Sequence, residues 1–363
     1  MFRRGEVSPA RALAKRLSPR STPGAAMAAR NAPGPRWPGP LLPPYLDGHR
    51  YFELAERYPF DPAATTCSLV NGWWLAEAAA LAYHDFDDVE RLLPLLFPDV
   101  AALGASEGDR DDDLPLDARG YVAWNDRCAL IIFCGTRLHE RARLGRDLVI
   151  DMDLRPPVPW GRGHVHRGFH DAFDGIWADV ERKLDELALT GQRSFWFAGH
   201  SMGAAIATLV ASRWRAGPRR AVYTFGSPRV GDRFFVADWD RIVPVYRFVH
   251  DHDLVTRIPP KIPLLGLNYA DLGTEQYHFT ADGAPARSTS FRTELLALAA
   301  EMPARGAGLA RDLAARVVQG GPAAFAKDWR SFVEALSDNA VTALTDHAPI
   351  YYIDYFRRQL APA

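Results

Sequence analysis

The chain has 363 residues, 48% of them hydrophobic, enough to build one large domain core with insertions. Its 43 basic and 44 acidic residues leave a formal net charge of −1, which excludes a global pull toward nucleic acid or an anionic membrane. No run of about eighteen apolar residues occurs, so no membrane-spanning helix is predicted.

Residues 1–44 read as a disordered leader, basic at Arg3, Arg4, Arg11, Lys15, Arg16 and Arg20 and Pro-rich from Pro33 to Pro44. No apolar segment follows the charges, as a secretory signal would require, and a cytoplasmic location is the expectation. The folded domain is expected over 45–363. The three cysteines, Cys67, Cys128 and Cys134, have no metal-site or redox spacing and sit among apolar or small residues, so buried thiols are predicted.

The first helix starts after Ser68, a candidate N-cap, and carries Trp73, Trp74, Leu75, Ala78, Leu81 and Ala82. The acidic run Glu107 to Asp113 reads as a solvated loop. Two strands follow, Tyr121–Trp124 and Cys128–Phe133, joined by Asn125-Asp126-Arg127. The second is apolar on both faces, as a strand covered from both sides should be. A charged connection from Arg137 to Arg146 and an irregular Pro-rich stretch from Arg155 to Gly163 lead to a helix over Phe169–Leu187. Strand Ser194–Ala198, a turn over Gly199–Gly203 and a helix over Ala204–Arg215 come next. Further strands are predicted at Ala221–Phe225 and Val243–Val249. Strands alternating with helices imply a mostly parallel central sheet flanked by helices. From about 290 to 336 the chain turns helical, with Leu309, Leu313 and Val317 on one stripe and Phe325, Trp329, Phe332, Val333 and Leu336 on another. These stripes read as core, with a lipid-contacting cap as the sharper alternative.

Chemistry enters at Gly199-His200-Ser201-Met202-Gly203, a G-x-S-x-G match between a strand and a small-residue helix. That turn lifts a serine clear of the sheet, and the helix N-terminus favours the negative charge of an oxyanion. This context predicts an α/β-hydrolase fold with Ser201 as nucleophile. A serine hydroxyl needs a base, and the base an orienting acid, in the chain order Ser, acid, His. Only His250, His252, His278 and His347 follow Ser201, and His347 leads because it lies in a loop opening the last helix. Asp251 and Asp253 both end a strand on its C-terminal side, and spacing alone does not separate them. Strand alternation splits His250 and His252 from the two aspartates, so no metal site is expected there, and no cofactor is required.

The chain resembles the class 3 lipases from about Cys67 to Phe356. The resemblance rests on Cys67-Ser68-Leu69, Phe133-Cys134-Gly135-Thr136, Asp147 to Asp151, Val165 to Phe169, Gly199 to Gly203, Thr224 to Gly231, Asp253-Leu254-Val255 with Pro259-Pro260, and Asp346-His347, in that order. It implies Asp253 as the acid, His347 as the base, and an oxyanion hole from the backbone N–H groups of Met202 and Thr136. It also implies a structural role for His166 and a helical insertion before the catalytic histidine. The expected function is hydrolysis of lipid acyl esters, triacylglycerol or related, with a lipid or ester substrate and peripheral contact at a lipid interface as its partners, and no nucleic acid. Phospholipase A1 or acyltransferase chemistry would use the same triad, and a non-catalytic lipase-like interaction protein is the rival of another class. Leu148 stands where the family usually has Trp, and Thr256 where it often has Pro. The lid segment, Arg137 to Ile150, carries Arg137, His139, Glu140, Arg141, Arg143 and Arg146, a composition that argues against an apolar lid and toward charged or soluble esters.

Overall fold

The computed structural model describes residues 49–93, 96–104, 118–135, 156–239, 243–251, 253–259, 261–262, 267–288, 304–319 and 346–360, with a few single positions between 292 and 331. The leader, the acidic run, the lid segment and the second helical stripe lie outside the described residues.

Seven strands form the central sheet: β1 (Asp99–Leu103), β2 (Gly120–Trp124), β3 (Cys128–Phe133), β6 (Ser194–His200), β7 (Arg219–Phe225), β9 (Val245–His250) and β12 (Glu275–Phe279), side by side in that order. The pairs from β3 to β12 are parallel, while β1, β2 and β3 pair antiparallel. This is the mostly parallel sheet of an α/β-hydrolase. The central strands β3, β6 and β9 are buried along their whole length, as helices on both faces demand.

Side chains alternate between two cores. Leu130, Ile132, Trp196, Tyr223 and Phe248 face a core closed by α1 (Leu69–Leu81) and α7 (Pro349–Leu360). Ile131, Phe133, Phe195, Phe197 and Val222 face the other, closed by α3 (Arg167–Leu189) and α4 (Met202–Arg213). Helix α1 is capped as expected, with Ser68 Oγ accepting from the Asn71 N–H at 3.2 Å. It is not amphipathic, however. Every residue from Asn71 to Leu81 is buried, because α1 lies between the sheet and α7.

The stretch from Arg155 to Gly163 is not wholly irregular. It holds β4 (Val158–Trp160), which pairs with β5 (Gly163–Val165) in a second, antiparallel sheet completed by β8 (Gly231–Asp232), β10 (Lys261–Ile262) and β11 (Leu267–Ala270). Strands of two to four residues are too short for alternation to reveal. Between β12 and His347 lies α6 (Ala304–Gln319), which buries Leu313 and half-buries Leu309, in keeping with the first helical stripe. Cys128 and Cys134 are buried and Cys67 is half-buried; all three are free thiols. Burial pushes the Cys128 thiol up to about 12, so it is inert as a nucleophile. Among the described residues no helix is long and apolar enough to cross a membrane.

Candidate active site

Ser201 stands between β6 and α4 with φ +58° and ψ −132°, a conformation that L-residues with a Cβ rarely adopt. The flanking glycines explain how the turn is tolerated. A Cβ on Gly199 would lie 2.4 Å from the Gly203 backbone, and one on Gly203 would lie 2.2 Å from the Phe133 carbonyl oxygen. Helix, entering strand and neighbouring strand therefore approach more closely than any side chain allows. The Ser201 N–H donates to the Phe225 carbonyl at 3.0 Å, which ties the elbow to the end of β7.

Asp253 follows β9 and caps the short 3-10 turn Leu254–Arg257, its Oδ1 accepting from the Val255 N–H at 2.9 Å. Its Oδ2 accepts twice, from His347 Nδ1 at 2.8 Å and from the Tyr352 hydroxyl at 2.6 Å. Burial, and then the neighbouring Asp253, push the Tyr352 hydroxyl far above its ordinary range, so it stays a donor. Asp253 is completely buried and His347 nearly so. Two of the residues singled out in the sequence are thus brought together across 94 positions of chain.

Gly226 is the floor of this pair. Its φ is +59°, and a Cβ there would lie 2.9 Å from Asp253 Oδ2 and from both Nδ1 and Cε1 of His347. Because Ser201 is bonded to the adjacent Phe225, the same corner of chain supports elbow and imidazole alike. Ser201 Oγ and His347 Nε2 are buried without a hydrogen-bond partner among the described residues. Those are the two atoms between which a nucleophile would pass its proton, and such bonds are often loose before substrate binds. We expect Gly226→Ala to lower kcat about 100-fold, because displacing a reacting group by about 1 Å costs that much. Steady-state kinetics beside a thermal melt would check this; a folded variant with undiminished kcat contradicts the geometry.

The remaining histidines separate. His250 Nδ1 donates to the Asp346 carbonyl at 2.8 Å, so it serves the base loop from behind. His278 lies on β12, paired in register with Val249, and burial together with Arg257 and Arg247 lowers it to about 4. It is neutral at pH 7 and belongs to another cluster. His166 is buried against Phe169 and Tyr269, consistent with a structural role. Asp251 is half-buried, its N–H donating to the Phe279 carbonyl at 2.7 Å, and the carboxylate hydrogen-bonded to His347 is that of Asp253. His252 and Thr136 lie outside the described residues. Met202 is the first residue of α4, directly after Ser201.

Spacing did not reveal what holds the acid turn. Arg229 donates to the carbonyls of Arg257 and Pro259, and its Nε to Asp271 Oδ1 at 2.8 Å. Arg247 Nη2 donates to the Thr256 carbonyl at 2.9 Å. Burial lowers the Arg247 guanidinium to about 10, still protonated at neutral pH. Burial alone would raise the Asp271 carboxyl, but Arg247, Arg229 and Arg257 together hold it below its usual range. Tyr352, Gly226 and these arginines are the residues that sequence reasoning missed. A Tyr-containing last helix and an Arg-bearing Gly-Ser-Pro-Arg segment were the signals present.

A family model described as lipase (class 3) matches residues 131–262, a stretch that contains the elbow, Gly226 and Asp253 and ends before His347. Toxin TseL of Vibrio cholerae is 37% identical over 120 residues, 31% of this chain and 18% of that one. Secreted mono- and diacylglycerol lipase A of Penicillium cyclopium is 27% identical over 232 residues, 60% of this chain and 72% of the other. The chain therefore spans under a fifth of the Vibrio protein and about seven tenths of the Penicillium one. The crystal structure of a mono- and diacylglycerol lipase from Aspergillus oryzae is similar with a TM-score of 0.47 and 22% identity, over 63% of this chain and 85% of that one.

Proposed function

The chain belongs to the class 3 lipase family, and from that membership we propose that it is a serine hydrolase of lipid acyl esters working through Ser201, His347 and Asp253. The observation that carries the reading is the Asp253–His347 hydrogen bond of 2.8 Å, set against the same corner of chain as the strained Ser201 elbow. His347 takes the Ser201 proton as the hydroxyl oxygen attacks the ester carbonyl, and Asp253 steadies the imidazolium that forms. The Met202 and Thr136 N–H groups hold the tetrahedral oxyanion, each such donor being worth about 3 kcal/mol. His347 then gives its proton to the departing alcohol. Water attacks the acyl-enzyme by the same route, with His347 again as base, and releases the carboxylic acid.

The substrate class follows from the family, and the reacting atoms are buried. Ser201 is 1% exposed and His347 4%, a setting from which bulk water is largely excluded. Contact with a lipid surface is peripheral in this reading. The test is hydrolysis of p-nitrophenyl esters of rising chain length, of diacylglycerol and triacylglycerol emulsions, and of phosphatidylcholine vesicles. We expect activity that rises beyond the acetyl ester and extends to at least one of the lipids. Release of fatty acid from phosphatidylcholine alone would move the substrate to polar lipids, and inactivity on every ester would overturn the reading.

A further inference from the structure

We propose that Tyr83 and His200 are positioning residues that lock the oxyanion strand end, the nucleophile elbow and the base loop into one register. The inference rests on the triad reading of Ser201, Asp253 and His347. Neither residue touches the reacting atoms through a hydrogen bond of its own; they act through the groups that do.

The polarity of the chain of bonds is forced. His200 Nε2 lies 2.7 Å from the His347 carbonyl oxygen, and a carbonyl only accepts, so the proton is on Nε2. His200 is fully buried, and burial followed by the neighbouring His347 drives its pKa far down, so the ring is neutral. Nδ1 is then an acceptor, and the Tyr83 hydroxyl 2.7 Å away must donate to it. Burial holds that hydroxyl protonated, and its oxygen packs so closely on Gly135 that a Cβ there would meet it at 2.2 Å. A single run therefore passes from Gly135, packed on the Tyr83 oxygen, through the Tyr83 and His200 hydrogen bonds to the carbonyl of His347, both donors polarised in the same sense.

Each end of that run is chemically consequential. Gly135 follows β3 immediately before Thr136, and a Cβ on it would lie 2.2 Å from the Tyr83 oxygen and 2.8 Å from Ser201 Cβ. The His200 and His347 rings also pack with centroids 4.5 Å apart, 35° from parallel. The histidine before the nucleophile thus holds the base by its main chain on one side, and His250 holds the preceding carbonyl of Asp346 on the other. Tyr83 lies just beyond the C-terminus of α1, 117 residues before His200, so only the folded chain joins them.

A purely stabilising role would lower the melting temperature and leave kcat of the folded enzyme unchanged. Positioning moves kcat and spares KM. Tyr83→Phe removes one hydroxyl and keeps the ring. Its kcat should fall about 10- to 50-fold with KM within about twofold, since misplacements of up to about 1 Å cost up to about 100-fold. His200→Leu should lose about 100-fold, and His200→Gln, which keeps an N–H for the His347 carbonyl, should recover about tenfold of that loss. Nitrogen NMR of the histidine rings provides a readout independent of turnover. His200 should appear as the Nε2–H tautomer, and the His347 signals should shift in Tyr83→Phe. A folded Tyr83→Phe enzyme with wild-type kcat and unmoved His347 signals overturns the proposal. Wild-type inactivity on every ester, with His347 signals that do shift, tells instead against the triad reading.

Discussion

Replacing Ser201 by alanine should reduce kcat for ester hydrolysis on the order of a million-fold, the loss seen when the nucleophile of such a triad is removed. The stability of the same variant should hardly change. Ser201 is the N-cap residue of α4, but its side chain makes no capping hydrogen bond, so the substitution forfeits none. Alanine also retains a Cβ and with it the strain at φ +58°. Glycine does not. Ser201→Gly should be equally inactive yet more stable than Ser201→Ala by about 1–2 kcal/mol, the strain of about 1–3 kcal/mol less the entropy cost of a glycine. Ester assays and denaturant titrations of the pair separate the two effects. Residual activity in Ser201→Ala would place the nucleophile elsewhere, and equal stabilities would show the elbow to be unstrained.

Asp253→Asn should lower kcat about ten-thousandfold, with little change in KM. The reason lies in the number of donors aimed at this carboxylate. His347 Nδ1–H and the Tyr352 hydroxyl point at Oδ2, and the Val255 N–H points at Oδ1. An asparagine must turn its NH2 toward one of these donors. Toward Val255 it opposes a backbone N–H and loosens the 3-10 turn. Toward His347 it stabilises the tautomer protonated on Nε2, which cannot accept the serine proton. The first choice sets the amide against the Val255 N–H and the second deprives the Tyr352 hydroxyl of its acceptor, so either leaves a buried donor unpaired, which costs about 1–3 kcal/mol in stability as well. The pairing of a large kcat loss with a lowered melt is the signature to seek. A variant that retains activity would make Asp251 or another carboxylate the acid.

Much of this protein was legible before any coordinates. Strand Cys128–Phe133 and the Phe195–Ala198 run of the strand read at Ser194–Ala198 are apolar on both faces, and parallel strands covered on both faces leave little choice of composition. Gly199 and Gly203 were readable because a turn that brings backbone within 2.4 Å of a Cβ position excludes every other residue. Chain order limited the base to four histidines, and the family resemblance selected Asp253 over Asp251. Signals of this kind are local. They record what a backbone segment needs from its own residues or its immediate neighbours in sequence.

The tertiary structure alone decided the rest. It set Gly226 under the Asp253–His347 pair, Tyr352 on the same carboxylate oxygen, and Arg229 and Arg247 behind the acid turn. It joined Tyr83 to His200, and His200 to the carbonyl of His347, over spans of 117 and 147 residues. It also assembled the second sheet from strands of two to four residues that carry no periodicity of their own. A hydrogen bond between distant segments places no repeating demand on either one, so no pattern along the chain announces it. Such a bond exists only when folding delivers a donor and an acceptor to the same buried point, where leaving either unpaired would be costly.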